Sequence, residues 1–306
     1  MSTRERRTFP LVPRRRLLGL PFGDLPGRRP GHGTDVIGTR AYEPGDPVAS
    51  IDWFASARLS AARGGDEFVV RDRAADEAPR VTLVLDRRPA MGLYPQPLPW
   101  LSKREAMRQA AISIAASAAA ARADLASLDF AGGEASWLPP GRRDRPWLVS
   151  GRAETAAFDA PEDNLARALD FLAQRRRDMP GGTFLFVLSD FLAGPPPDVW
   201  FDAGGRGWDI VPVVIQDPVW ERSWPDVGGV AVPVADPGSG RVALLRLGRR
   251  RCDRLRCEHE ERYAAILSEL GSVGLRPVEI GSSEPSAVDE AFLTWAEERR
   301  RGRWAR

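Results

Sequence analysis

Three apolar runs, each stopping at an aspartate, constrain this chain more than any other feature. Residues 81–85 run into Asp86, residues 183–188 into Ser189-Asp190, and residues 210–215 into Gln216-Asp217. An unbroken apolar run, in place of alternation, is what a strand buried on both faces requires, and such strands belong to parallel sheets covered by helices. The segments between the runs are longer and amphipathic. The expected fold is therefore α/β, a Rossmann-like, mostly parallel sheet with flanking helices.

Helix signals fit this frame. Ser102-Lys103-Arg104-Glu105 has capping-box spacing and predicts a helix start, after which Met107, Ala111, Ile114 and Ala118 share one face. Residues 124–130 read as a strand, 162–176 as a helix with Leu165, Leu169 and Leu172 inward, 254–270 as a helix, 275–280 as a last strand and 287–300 as a closing helix. Across residues 219–247, short Val-rich runs broken by Gly-Gly, Asp-Pro-Gly and Ser-Gly predict an antiparallel β-arm.

Upstream of the sheet domain, residues 80–306, the chain divides into an arm over 1–30 and a segment over 31–79 expected to pack on the sheet. Prolines 10, 13, 21, 26 and 30 interrupt the arm and predict an extended conformation. Residues 1–32 carry eight Arg against Glu5 and Asp24, or 8 − 2 = +6, so the total of +2 leaves −4 for the remainder. The arm reads as a solvated tail, with an acidic partner or membrane headgroups as the alternative.

Composition excludes several chemistries. Of 44 basic residues only Lys103 is a lysine, so a Schiff-base mechanism has a single candidate. Cys252 and Cys257 are too few for a disulfide framework and, with His259, supply half a zinc site. His32 and His259 are the only histidines, which leaves little from which to build a His-based triad. No apolar run reaches the roughly 20 residues of a membrane-spanning helix. The N-terminus lacks the apolar core of a signal peptide, so the expected location is cytoplasmic.

Asp86, Asp190 and Asp217 all fall at the carboxyl edge of the sheet, where open α/β sheets bind ligands. Converging carboxylates raise one another's pKa unless a cation neutralises them, and Mg2+ suits such oxygens. The structural alternative is that each caps a turn or helix. A hydrolase reading would use Asp46, Asp52, Asp86 and Asp190, with or without a metal. The favoured reading of Asp46 and Asp52 is a buried ion-pair network with Arg40, Arg58 and Arg71, anchored by Trp53. Trp220 and Trp224, with Trp200 and Trp208, are candidates for an interface or for core. The Arg clusters at 249–256 and 299–306 stand beside Asp253, Glu258, Glu260, Glu261, Glu297 and Glu298, which favours a solvated helix face over a nucleic-acid site.

One set of motifs is more specific. Arg40-Ala41-Tyr42-Glu43-Pro44-Gly45-Asp46, Ile51-Asp52-Trp53, Ser56-Ala57-Arg58 and Val70-Arg71 are followed by Ser189-Asp190-Phe191, Gln216-Asp217-Pro218, Glu221 and Pro225. In this order they resemble domain-of-unknown-function family 58, whose members end in a von Willebrand factor A-like domain. The resemblance covers the chain from about residue 31 onward. It implies a first strand ending in D-x-S-x-S, whose hydroxyls complete a metal-ion-dependent adhesion site.

Here that segment reads Asp86-Arg87-Arg88-Pro89-Ala90, with Arg88 and Ala90 in the serine positions. The usual Thr position falls near Asn164-Leu165. A guanidinium beside Asp86 opposes a cation. The resemblance thus implies a degenerate site in which Arg88 pairs with Asp86 or Asp190, with no resident cofactor. It further implies a non-enzymatic adaptor or co-chaperone of a MoxR-type AAA+ ATPase. This chain has no G-x4-G-K-[ST] loop of its own, so nucleotide hydrolysis would belong to the partner.

Overall fold

The computed structural model describes residues 7–13, 36–43, 48–64, 67–73, 79–93, 101–142, 145–236, 239 and 241–304. The chain divides into two units, Arg15–Pro79 and a larger one formed by Met1–Arg14 with Arg80–Arg306.

In the smaller unit, β1 (Val36–Ala41) pairs antiparallel with β2 (Val69–Arg73), and α1 (Trp53–Arg63) lies between them in sequence. Asp52 is the N-cap of α1, its Oδ1 accepting from Ala55 N at 3.1 Å, and Gly64 ends the helix with φ of 73°. Three residues of the expected buried ion-pair network, Arg40, Arg58 and Trp53, are exposed. Arg40 and Arg58 donate to the carbonyls of Ala41 and Phe54, Asp52 spends an oxygen on its helix, and Trp53 is 59% exposed with its edge toward Phe68. Tyr42 is half-buried against the same Phe68. Asp46 lies outside the described residues, as does the Arg71 side chain.

The larger unit is built on β3 (Arg80–Leu85), α2 (Lys103–Ala120), β4 (Asp124–Asp129), β5 (Ser136–Gly141), α3 (Arg145–Thr155), α4 (Asn164–Ala173), β6 (Phe184–Ser189), α5 (Pro197–Gly205), β7 (Asp209–Ile215), β8 (Val230–Ala235), β9 (Val242–Leu247), α6 (Arg249–Ser272), β10 (Val278–Ile280) and α7 (Pro285–Trp304). Six strands form one sheet in the order β10-β7-β6-β3-β4-β5, parallel throughout except for β5. The fold is thus α/β with a mostly parallel sheet and flanking helices. After β3 the chain adds β4 on one side and then crosses to β6 on the other. That reversal puts a topological switch point between β3 and β6, with Asp86 and Asp190 at its carboxyl end.

β6 and β7 are buried along their whole length, which explains their continuous apolar runs. α2 starts where the cap signal placed it, Ser102 Oγ accepting from Glu105 N at 3.3 Å, although the Glu105 carboxylate binds Arg108 and Gln109. Ala110, Ala111, Ala115 and Ala118 are buried on α2, and these small side chains let it pack against the sheet, α3 and α7 at once.

Four features depart from expectation. β5, α3 and α5 had no clear sequence signal. The β-arm is narrower than residues 219–247, a hairpin of β8 and β9 in register from Val230↔Leu247 to Ala235↔Val242. The start of the arm is core: Phe9 is 3% exposed and stacks on Phe292 with centroids 4.6 Å apart, and Phe9 N donates to Ser117 Oγ. Arg299, expected on a solvated face, is buried, donating to both carboxylate oxygens of Asp209 at 2.9 Å and to Val12 O at 3.0 Å.

Candidate functional site at the sheet switch point

The residues that converge at the switch point form a closed ionic cluster. Asp86 leaves β3 immediately after Leu85, its N–H bonded to Leu188 O across the β3–β6 pair. Arg88 folds back over it: its backbone N–H donates to Asp86 Oδ1 at 3.0 Å, Nε lies 3.0 Å from Oδ2, and Nη2 lies 2.5 Å from Oδ2. The same Nη2 donates to Asp190 Oδ1 at 2.7 Å. Asp86 accepts further bonds from Ser189 Oγ at 2.7 Å and Asn164 Nδ2 at 3.1 Å, so its lone pairs are fully used. Asn164, the first residue of α4, points its amide nitrogen inward because its other donor bond goes to Pro161 O.

Sequence spacing gives no sign of the second half of the cluster. Lys103, the chain's single lysine, is wholly buried and donates to Asp190 Oδ2 at 2.9 Å, with Glu221 Oε1 also in contact. The first residue of α2 thereby ties β6 to the turn after β7. Glu221 in turn accepts from Asp217 N at 2.8 Å, while Asp217 Oδ1 accepts from Val219 N and Trp220 N. Asp217 thus caps its own turn, which is the structural role allowed for in the sequence. The cluster contains three carboxylates, Asp86, Asp190 and Glu221, against the cations Arg88 and Lys103.

The electrostatics follow the geometry. Burial works against the charge of Arg88, but the hydrogen bonds and charge of Asp86, and then Asp190, raise its pKa above the usual arginine value. Burial likewise disfavours ionised Asp190, yet Lys103 and Arg88 together hold it below the ordinary carboxylate range. Glu221 goes the other way: burial raises it, and Lys103 only partly offsets this. Backbone strain sits at the same spot. Phe191 has φ of 55°, unusual for a bulky residue, and is held there by Ser189 Oγ accepting from its N–H while Asp190 Oδ1 accepts from Leu192 N.

The neighbouring Arg87 makes a separate buried contact. Its guanidinium lies over the Phe158 ring at 5.0 Å and donates to Arg152 O, with Nε 4.0 Å from Asp129. Burial lowers its pKa to about 10, opposed by Asp129. Ala90 lies in a 3-10 turn, Pro89–Gly92, which follows Arg88.

Trp220 and Trp224 are half-buried on the turn that carries Glu221, packed edge-to-face at 5.3 Å. Trp224 also meets His259, whose Nδ1 faces the carbonyls of Trp220 and Ser223 and so must carry the proton. Trp200 and Trp208 belong to the core instead. Cys252 is buried, Cys257 is exposed, and neither forms a disulfide.

A sequence profile described as "Protein of unknown function DUF58" matches residues 38–266, most of the chain. The chain belongs to the DUF58 family. Uncharacterised proteins of Mycobacterium tuberculosis and Mycobacterium bovis are 29% identical to this DUF58 protein over 241 residues, covering 76% of this chain and 70% of theirs. Among solved structures, BatB from Bacteroides thetaiotaomicron, a conserved hypothetical protein, is similar with a TM-score of 0.42 and 16% identity, covering 72% of this chain and 99% of that one. An aerotolerance-related membrane protein from Bacteroides fragilis gives a TM-score of 0.44 at 14% identity with the same coverage. No helix among the described residues of this DUF58 chain is long and apolar enough to cross a membrane.

Proposed function

We propose that this protein is a von Willebrand factor A-like interaction module without catalytic chemistry of its own, serving as an adaptor or co-chaperone of a MoxR-type AAA+ ATPase. The observation that carries this reading is the place of Arg88. Its Nη2 lies 2.5 Å from Asp86 Oδ2 and 2.7 Å from Asp190 Oδ1, between the two carboxylates. Mg2+ demands six oxygens at about 2.0–2.1 Å in an octahedron. Here Asn164 presents an N–H2 to Asp86, Ser189 donates its proton to Asp86, and Lys103 adds a second positive charge. The residues present do not fit Mg2+. The site reads as an adhesion site in which a guanidinium and an ammonium take over the cation's charge.

Asp190, held as the anion by Lys103 and Arg88, is a poor general acid. That favours binding over hydrolysis. The ATPase as partner rests on the family resemblance alone. On this reading the cluster fixes the shape of the sheet's carboxyl edge, and the half-exposed Trp220 and Trp224 offer aromatic contact area beside it. Two measurements test it. Titration calorimetry with Mg2+ or Mn2+ is expected to give no binding heat, and heat that disappears in Asp86→Ala would refute the replacement. A pull-down from the native cell is expected to recover a AAA+ ATPase without added metal, and recovery of none, with or without ATP, would refute the partnership.

A further inference from the structure

We propose that the β8–β9 hairpin is a membrane-surface element that inserts apolar side chains shallowly into a bilayer with anionic headgroups. A two-stranded ribbon with no third strand normally buries at least one face against something. This one shows apolar groups on both. Val230 and Val234 on one face are 47% and 41% exposed, while Val242 and Leu244 on the other are 68% and 66% exposed. The cross-strand pairs Pro233↔Leu244 and Ala235↔Val242 fix those last two on one side of the ribbon. Its base is anchored by Leu247, which is 2% exposed, with Gly229 N bonded to Leu247 O.

Charge selects the occupant. Arg241, Arg246, Arg249, Arg250 and Arg251 are all exposed, and no acidic residue occurs between Asp236 and Asp253. Among the described residues none of these five joins an ion pair, whereas Arg254 and Arg256, next along α6, pair with Glu258 and Asp253. Apolar side chains flanked by unopposed arginines match the layered chemistry of a bilayer surface, hydrocarbon beneath phosphate. The strand-to-strand ladder satisfies the inward backbone groups, which lets the apolar side chains leave water without stranding those donors. Pro233 has no N–H to offer a further strand, which disfavours edge pairing with a second copy.

The test is co-sedimentation of the full chain with vesicles of phosphatidylcholine plus phosphatidylserine, against phosphatidylcholine alone. Wild type is expected to bind the anionic vesicles and to be released by salt. A Val242→Ser/Leu244→Ser variant is expected to bind more than about tenfold weaker. Arg246→Gln and Arg250→Gln are each expected to weaken binding by about fivefold. Unchanged far-UV circular dichroism shows that a loss is not unfolding, and if the serine variant misfolds, the Arg variants carry the test. Four outcomes overturn the proposal: no binding to anionic vesicles at low salt, equal binding to phosphatidylcholine alone, binding unchanged by the hairpin substitutions, or a wild-type dimer that Val242→Ser/Leu244→Ser converts to monomer.

Discussion

Lys103 Nζ lies 2.9 Å from Asp190 Oδ2, and neither side chain has any solvent exposure. The two residues are 87 positions apart, and their pairing ties the start of α2 to the end of β6. A buried ammonium is tolerated only while its carboxylates remain.

Lys103→Met removes that ammonium and leaves Asp190 and Glu221 facing each other in a dry site. The variant is expected to lose about 3–5 kcal/mol of unfolding free energy in urea titration, without a change in m-value. Lys103→Arg keeps the charge but not the size in a fully buried position, so it should fall between the two.

Arg88→Ser restores a hydroxyl where the resemblance places one and removes the competing guanidinium. Without metal the variant is destabilised, because Asp86 and Asp190 lose their shared partner. Lys103 and the Asn164 amide still face the two carboxylates, so added Mg2+ should restore none of that loss, and wild type should likewise show no change. Thermal melts with and without MgCl2 check both outcomes.

Two carboxylates of the cluster give opposite pH dependence. Asp190 has a folded pKa below its usual value, so its contribution is present above about pH 3.8 and is lost as pH falls through the lower folded value. Glu221 has a folded pKa above its usual value, so its contribution is present below about pH 4.5 and is lost as pH rises through the higher folded value. Urea unfolding across the acid range should therefore show a shallower acid limb in Asp190→Asn, on top of lower stability overall. Glu221→Gln should remove the decline that Glu221 causes as pH rises.

Phe9 fills a pocket made by Phe186, Phe292 and Trp295, with centroids 6.2, 4.6 and 6.0 Å away. Phe9→Ala is expected to cost about 3–5 kcal/mol, the range for a buried aromatic reduced to Ala. Denaturant unfolding measures it. Arg7→Ala, at an exposed position two residues earlier, should leave stability unchanged.

The sequence alone makes the core strands of the sheet legible, and with them the edge that carries the ionic cluster. Apolar runs and helical spacing are local signals, and an aspartate directly after a buried strand must emerge at the carboxyl edge wherever the strand goes. The elements it left unread have weak local signals: β5 is an edge strand containing Pro139 and Pro140, and α3 is interrupted by Gly151. Arg88 was legible because it sits two residues from its partner.

Folding alone brings Lys103 and Glu221 into the cluster, buries Phe9 and Arg299, and leaves Trp53 exposed. Such pairings depend on which chain segments the crossover connections bring together. The low dielectric that makes a buried charge costly without its partner exists only after folding.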